Sequence, residues 1–261
     1  MEISKEQLKI IASYMNLRDD KFQVDFDPND GSTQITTPNG RFYTLSDSKA
    51  KFWSVTTVLD IVDKSTWLIP YVVRSIKTAL EDGQPIPWAL SAHSRLLKSL
   101  GERGTRVHAW IEGYLSSTDQ HGAEPLQPGD EHFTNAFLQD FDAKHEVEVI
   151  DLEPRVFHEL HVHGFPCHYA GSIDGVIILD GIPTIIDWKT SKTIKDEYWQ
   201  QLMAYYHALG NEDILQVAIF HMKPTTKKPK GQLLIKQVSE LDLQWTKFKA
   251  KLYLNQLERD E

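Results

Sequence analysis

Cysteine is almost missing from this chain: Cys167 is the only one among 261 residues. A lone thiol excludes an internal disulfide framework, a four-cysteine zinc site and a cysteine-ligated iron–sulfur cluster, and it fits a reducing, cytoplasmic setting. No uninterrupted apolar run approaches the ~20 residues of a membrane helix, so no membrane partner is expected. The first residues, Met1-Glu-Ile-Ser-Lys-Glu, lack the basic and then apolar pattern of a secretory leader. Excess positive charge is missing too: 28 Lys and Arg against 37 Asp and Glu give a net charge of −9, which by itself leans away from a nucleic-acid binder. Repeats and low-complexity tracts are also lacking. What is present, 41% hydrophobic and 25% charged residues, is the composition of a folded globular protein.

Residues 4–14 have helical apolar spacing. Lys21–Phe26 alternates as a strand does, and Pro38-Asn39-Gly40 between two β runs predicts a hairpin. Ser54–Leu59 reads as a capped helix start, Trp67–Leu80 as a helix, and Trp88–Ser116 as mostly helical with a break at Gly101 and Gly104. After a loop over 117–130, Glu131–Lys144 has the pattern of one amphipathic helix. Strands are predicted over Glu146–His163, interrupted at Pro154, then over His168–Leu179 and Thr184–Thr190, with a turn at Gly181-Ile-Pro. Glu197–Leu209 is a helix, Leu215–Met222 and Leu233–Val238 are strands, and Leu241–Leu257 closes the chain as a helix. This order predicts an α/β (α+β) fold in one domain over 1–261, with an N-terminal hairpin and helical extension over 1–100 and a core over 101–261.

The chemistry concentrates between residues 104 and 205. Asp187 ends the apolar run Pro-Thr-Ile-Ile, an expensive place for a lone carboxylate. Lys189, two residues on, shares its face of the strand. Asp174 lies thirteen residues earlier, and a hairpin through Gly181 brings the two acids together. Asp-Gly is also a common turn pair, and an Asp and a Lys at a strand end also make an ordinary ion pair. Two carboxylates at one spot repel each other unless a cation intervenes, so the joint pattern predicts a divalent metal, and oxygen ligands favour Mg²⁺ or Mn²⁺.

Four elements in order, Gly104-Thr-Arg-Val-His108, Gly171-Ser-Ile-Asp174, Asp187-Trp-Lys189 and Gln201-Leu-Met-Ala-Tyr205, resemble the PD-(D/E)xK nuclease superfamily and its RecB-like exonuclease branch over roughly residues 100–210. Ser54-Val-Thr-Thr57 resembles the N-terminal motif of phage and mitochondrial exonucleases of that branch. The resemblance implies a restriction-endonuclease-like core, a mixed central β-sheet flanked by helices. It implies His108, Asp174, Asp187 and the Ile186 backbone carbonyl as metal ligands, with Asp174, Asp187 and Lys189 catalytic. Gln201, Tyr205, Glu153, Ser54 and Thr56 are then substrate-contacting or buttressing groups. The implied activity is Mg²⁺- or Mn²⁺-dependent hydrolysis of phosphodiester bonds at DNA ends, in recombination, repair or replication. Linear DNA, single- or double-stranded, is the implied partner, with a helicase or single-strand-binding protein alongside, in the cytoplasm of a bacterium or phage-infected host. Relatives that carry a four-cysteine iron–sulfur cluster differ on that point, and RecB's helicase has no counterpart, because no G-x-x-x-x-G-K-[ST] loop occurs here.

The same motifs serve structure-specific endonucleases, and a catalytically inactive DNA-binding module is the reading from another class; the intact Asp174, Asp187 and Lys189 speak against the latter. A zinc hydrolase built on His158, His161, His163 and His168 lacks the H-E-x-x-H spacing. Glu112 follows His108 by one helical turn and reads first as a solvated acid. The basic loop Lys223–Lys230 fits a phosphate backbone and a solvated hairpin tip equally well.

Overall fold

The computed structural model describes residues 23–259 apart from 47, 49, 62–64, 117–125 and 225–226. The predicted helix over 4–14 and most of the loop over 117–130 lie outside the described residues. The fold is α+β, with two mixed sheets flanked by helices.

The first sheet starts with the predicted hairpin. Strands β1 (Gln23–Phe26), β2 (Ser32–Thr37) and β3 (Gly40–Leu45) form an antiparallel meander, with a two-residue turn at Pro38-Asn39. Gly40 is required at that corner: its φ is +124°, and a Cβ would lie 2.5 Å from Cγ2 of Thr57. Strand β4 (Phe52–Ser54) pairs with β3 and then, in parallel, with β7 (Phe165–Ser172), which pairs with β6 (Arg155–Val162). The N-terminal strands are therefore half of a six-stranded sheet, β1-β2-β3-β4-β7-β6, not a separate appendage. The second sheet has the order β11-β10-β9-β8-β5, from β5 (Val147–Leu152), β8 (Gly175–Leu179), β9 (Ile182–Lys189), β10 (Gln216–Met222) and β11 (Gly231–Gln237).

The single central sheet is thus resolved into two, and one long ribbon joins them. Arg155 pairs with Ser172 in the first sheet and Leu152 with Gly175 in the second, so the β5–β6 and β7–β8 stretches keep one register across the junction, and it shifts only farther along β5, between Val149 and Asp151. The run read as one strand over His168–Leu179 breaks at Ile173-Asp174, opposite the break at Glu153-Pro154, and the Ile173 N–H donates to the Pro154 carbonyl at 3.0 Å. At this seam the ribbon leaves one sheet and enters the other.

Helices α1 (Val55–Leu59), α2 (Ser65–Glu81), α3 (Ile86–Leu90), α4 (Ala92–Leu115), α5 (Glu131–Phe137), α6 (Asp196–Leu209) and α7 (Asp242–Arg259) complete the fold. The break expected at Gly101 and Gly104 is absent, and α4 runs unbroken for 24 residues. The helix predicted over Glu131–Lys144 is α5 followed by one π-helical turn, Leu138–Asp142, which carries the buried Phe141.

Alternation along β9 and β10 divides the core. Ile186, Trp188, Ala218 and Phe220 face Val107 and Ile111 of α4 and Phe133 and Phe137 of α5. Ile185, Val217 and Ile219 face Leu202 of α6 and Phe248 of α7, in a cluster that continues to Phe42, Trp53 and Tyr169 of the six-stranded sheet. Helices α6 and α7 therefore lie between the two sheets, and α4 and α5 cover the far side of the second. Outside this body, only Ala89 is buried among residues 68–105. No helix among the described residues is long and apolar enough to cross a membrane.

Candidate active site

The ribbon and its neighbour set three acids in a row. Continuing the β5–β6/β7–β8 register puts Glu153 opposite Asp174, and continuing the β8–β9 register from Gly175–Ile186 puts Asp174 opposite Asp187. The first two sit at the seam, where the strands stop pairing side by side; the third is near the end of β9. His108 reaches this row from α4: its Nδ1 is 3.4 Å from Oδ2 of Asp174. Gly104, one turn earlier, lies beside Thr190, and a Cβ there would meet its Oγ1 at an ordinary 3.6 Å.

Each acid is held differently. Asp174 accepts a hydrogen bond from the Trp188 N–H at 2.8 Å. Burial would raise its pKa, but the charge and hydrogen bond of His108, the nearby Lys189 and the Trp188 N–H together bring it below the usual carboxylate range. Asp187 is 1% exposed, and neither of its oxygens receives a well-directed hydrogen bond; the Lys189 ammonium lies 2.5 Å from Oδ2. Burial, joined by the charge of Asp174 and opposed by Lys189 and His108, pushes its pKa up to about 6. Glu153 has φ +53°, a left-handed backbone rare for a non-glycine residue. Its carbonyl accepts from the Ser172 hydroxyl at 3.1 Å. Burial and then the charge of Asp174 push its carboxyl up to about 8. His108 is raised from its ordinary value: burial lowers it, and the charge and hydrogen bond of Asp174 more than offset that.

One ligand atom each from His108, Glu153 and Asp174 lies within 4.8 Å of the others, a spacing able to hold a cation. Glu153 therefore belongs to the cluster itself, beyond the buttressing role expected of it. Its sequence signal was the Glu-Pro break in a strand, mirrored across the ribbon by Asp174. Ile186 is fully buried opposite Gly175 and Ala218. Glu112 is exposed, and its charge reaches Glu153.

Lys189 extends toward α6. Its Nζ donates to Oε1 of Gln201 at 3.2 Å, and Nε2 of Gln201 donates to the Tyr205 hydroxyl at 2.9 Å. Burial raises the Tyr205 pKa well above its ordinary value, so the phenol is neutral. The Tyr205 ring packs against β7 at Gly171, where a Cβ would be 2.6 Å from its Cε1. A residue not singled out from the sequence, Tyr198, stands one turn before Gln201, with its ring centroid 4.7 Å from the Lys189 Nζ.

Ser54 and Thr56 form a network of their own. Ser54 caps α1, accepting from the Thr57 N–H at 3.1 Å, and its hydroxyl is 3.0 Å from that of Thr56. Thr56 in turn accepts from Nη2 of Arg41 at 3.2 Å, and Thr57 bonds both backbone groups of Arg41. Ser54 pairs with Ala170 beside the site's strand but makes no hydrogen bond to the acidic row.

No protein-family model matches the chain, and no curated protein matches it. Among solved structures, the crystal structure of SSO0001 is similar at a TM-score of 0.40 and 15% identity, with 81% of this chain and 79% of that chain covered. A likeness at that level carries no argument about activity.

Proposed function

We propose that the chain is a divalent-metal-dependent deoxyribonuclease that hydrolyses phosphodiester bonds at DNA ends. The observation that carries this reading is the buried Asp187 carboxylate, which faces a second carboxylate across a hairpin, with Oδ1 meeting no hydrogen-bond donor and Oδ2 meeting the Lys189 ammonium. Such a group is stable only when protonated or when a cation takes its lone pairs. The surrounding donors, carboxylates and one imidazole, suit Mg²⁺ or Mn²⁺. His108, Asp174 and Asp187, with the Ile186 carbonyl, would hold the ion, and Glu153 stands beside them. The bound ion supplies polarisation of the scissile phosphate and a water of lowered pKa.

The protein's own groups do the rest. Lys189 is positively charged and aimed at the carboxylates by Gln201, so its ammonium can orient the attacking water and offset charge gathering on the phosphate oxygens. Trp188 fixes Asp174 through its backbone, and Tyr205 braces Gln201, so the row keeps its spacing without substrate. The net charge of −9 sits well with this reading if recognition is local, since a cleft with a metal and Lys189 offsets its own acids.

Linear and covalently closed DNA, single- and double-stranded and labelled at either end, incubated with Mg²⁺, Mn²⁺ or EDTA, tests the proposal. The expected result is metal-dependent loss of linear DNA that disappears in Asp187→Ala and Lys189→Ala. Cleavage of closed circles would replace the exonuclease with an endonuclease, and activity surviving in both variants would remove the site assignment.

A further inference from the structure

We propose that Tyr198 is a positioning residue for Lys189, with its ring face serving as one wall of a three-sided cage around the ammonium; this rests on the nuclease reading for its activity but not for its geometry. An ammonium has three N–H donors and no acceptor. At Lys189, one side of Nζ meets Oδ2 of Asp187 at 2.5 Å, another meets Oε1 of Gln201 at 3.2 Å, and the Tyr198 ring centroid lies 4.7 Å away. That ring distance is within the range of a cation–π contact, which strengthens where water is excluded. The Lys189 side chain is 15% exposed, so the contact is largely sheltered.

The cage has one wall that cannot serve two purposes. Asp187 is both the strongest partner of Lys189 and a candidate metal ligand, and a carboxylate shared with a cation pulls less on the ammonium. Gln201 and Tyr198 are the walls that do not change. Both come from α6, at positions i and i+3 of one helix face, and Tyr198 sits in the first turn, where its N–H donates to the Lys195 carbonyl at 3.2 Å. A lysine otherwise carries high rotamer entropy, and two fixed walls keep its head where the water or phosphate oxygen must be met. An aromatic face also does this without adding a second carboxylate beside the ammonium.

Full-length Tyr198→Phe and Tyr198→Leu test the cage. In metal-free protein, the ring should shift the Lys189 Hε resonances upfield in isotope-edited NMR; the shift should persist in Tyr198→Phe and vanish in Tyr198→Leu. In single-turnover cleavage with Mn²⁺, Tyr198→Leu should lower the cleavage rate about tenfold with DNA and Mn²⁺ affinity unchanged, and Tyr198→Phe should stay close to wild type. Absence of the upfield shift in wild type, a Tyr198→Phe as slow as Tyr198→Leu, or a loss confined to DNA affinity would each overturn the proposal. If wild-type protein cuts no DNA, the nuclease reading fails while the NMR arm still decides the cage.

Discussion

Two buried aspartates on either side of α4 have opposite surroundings. Arg106 and His108 are two residues apart on that helix, and each reaches one of the two charge clusters. On one side Arg106 meets Asp130, through Nε at 2.7 Å and Nη2 at 3.3 Å, and the Gln127 N–H adds a third bond at 2.9 Å. Burial raises the Asp130 pKa, but the Arg106 and Gln127 hydrogen bonds bring it below the ordinary value. On the other side, Asp187 is equally buried, yet Oδ1 meets no donor, Oδ2 meets only the Lys189 ammonium, and its carboxyl is pushed up to about 6. Beside the same helix, one buried carboxylate has donors on both oxygens and the other is left with one oxygen open. A carboxylate left open at such a cost points to a ligand, whereas the finished one holds α4 to the segment entering α5.

The sharpest way to break this contrast is Asp187→Asn. Cleavage should fall by about 10³-fold or more, because several kcal/mol of charge stabilisation go with the ligand. The folded state should lose less stability than in an equivalent change at Asp130. Next in size, Asp130→Ala should cost about 3–5 kcal/mol of stability in denaturant melts by removing the carboxylate that the buried Arg106 binds, with activity per folded molecule unchanged. If Asp130→Ala abolished cleavage in protein that was still folded, the two clusters would not be separable.

A smaller effect should come from the metal itself. At a concentration 100 times its dissociation constant, Mn²⁺ should stabilise wild type by about 2.7 kcal/mol and leave Asp174→Asn unmoved, as read by melting temperature. An identical rise in both proteins would mean the ion binds elsewhere.

The smallest effect lies away from both clusters. His207 stacks on Trp245 with ring centroids 4.0 Å apart, and burial, with help from His158 and Lys249, lowers its pKa from 6.5 to about 4. The unfolded chain therefore binds the proton first. The stability His207 contributes is full above pH 6.5, declines as pH falls from there to about 4, and stays lost below that. His207→Phe should flatten that decline without altering the Asp130 contribution, which is present above pH 3.8 and lost only as pH falls below it.

Much of the acidic site was legible because it obeys short-range rules. Asp174 and Asp187 are equidistant from one turn, Asp187 and Lys189 are two apart on a strand, and Gln201 and Tyr205 are one helical turn apart; each spacing dictates a shared face. What the sequence hid depends on which strands become neighbours. Nothing in His168–Leu179 announces that its two ends belong to different sheets, because alternation records faces and not sheet membership. Glu153 joins the row only through pairing with that same ribbon. The unbroken α4 was hidden for a related reason: the propensity cost of its glycines is outweighed by tertiary packing, with Val107 and Ile111 buried against β9 and β10. Tyr198 has no spacing rule tying it to Lys189, so only the packed helix reveals it.

The seam at Glu153-Pro154 and Ile173-Asp174 also sets when the site can exist. Its acids come from two crossings of one ribbon and from the strand after it, while His108 is brought in from a helix that ends before the ribbon begins. A growing chain holds none of this machinery until both sheets have paired around the bend and α6 has closed over Lys189. Contacts of such long sequence separation form late, after the local hairpins and helices. If the proposed activity holds, a partly folded copy would carry no complete site, and the order of folding would act as a safety catch on the reaction.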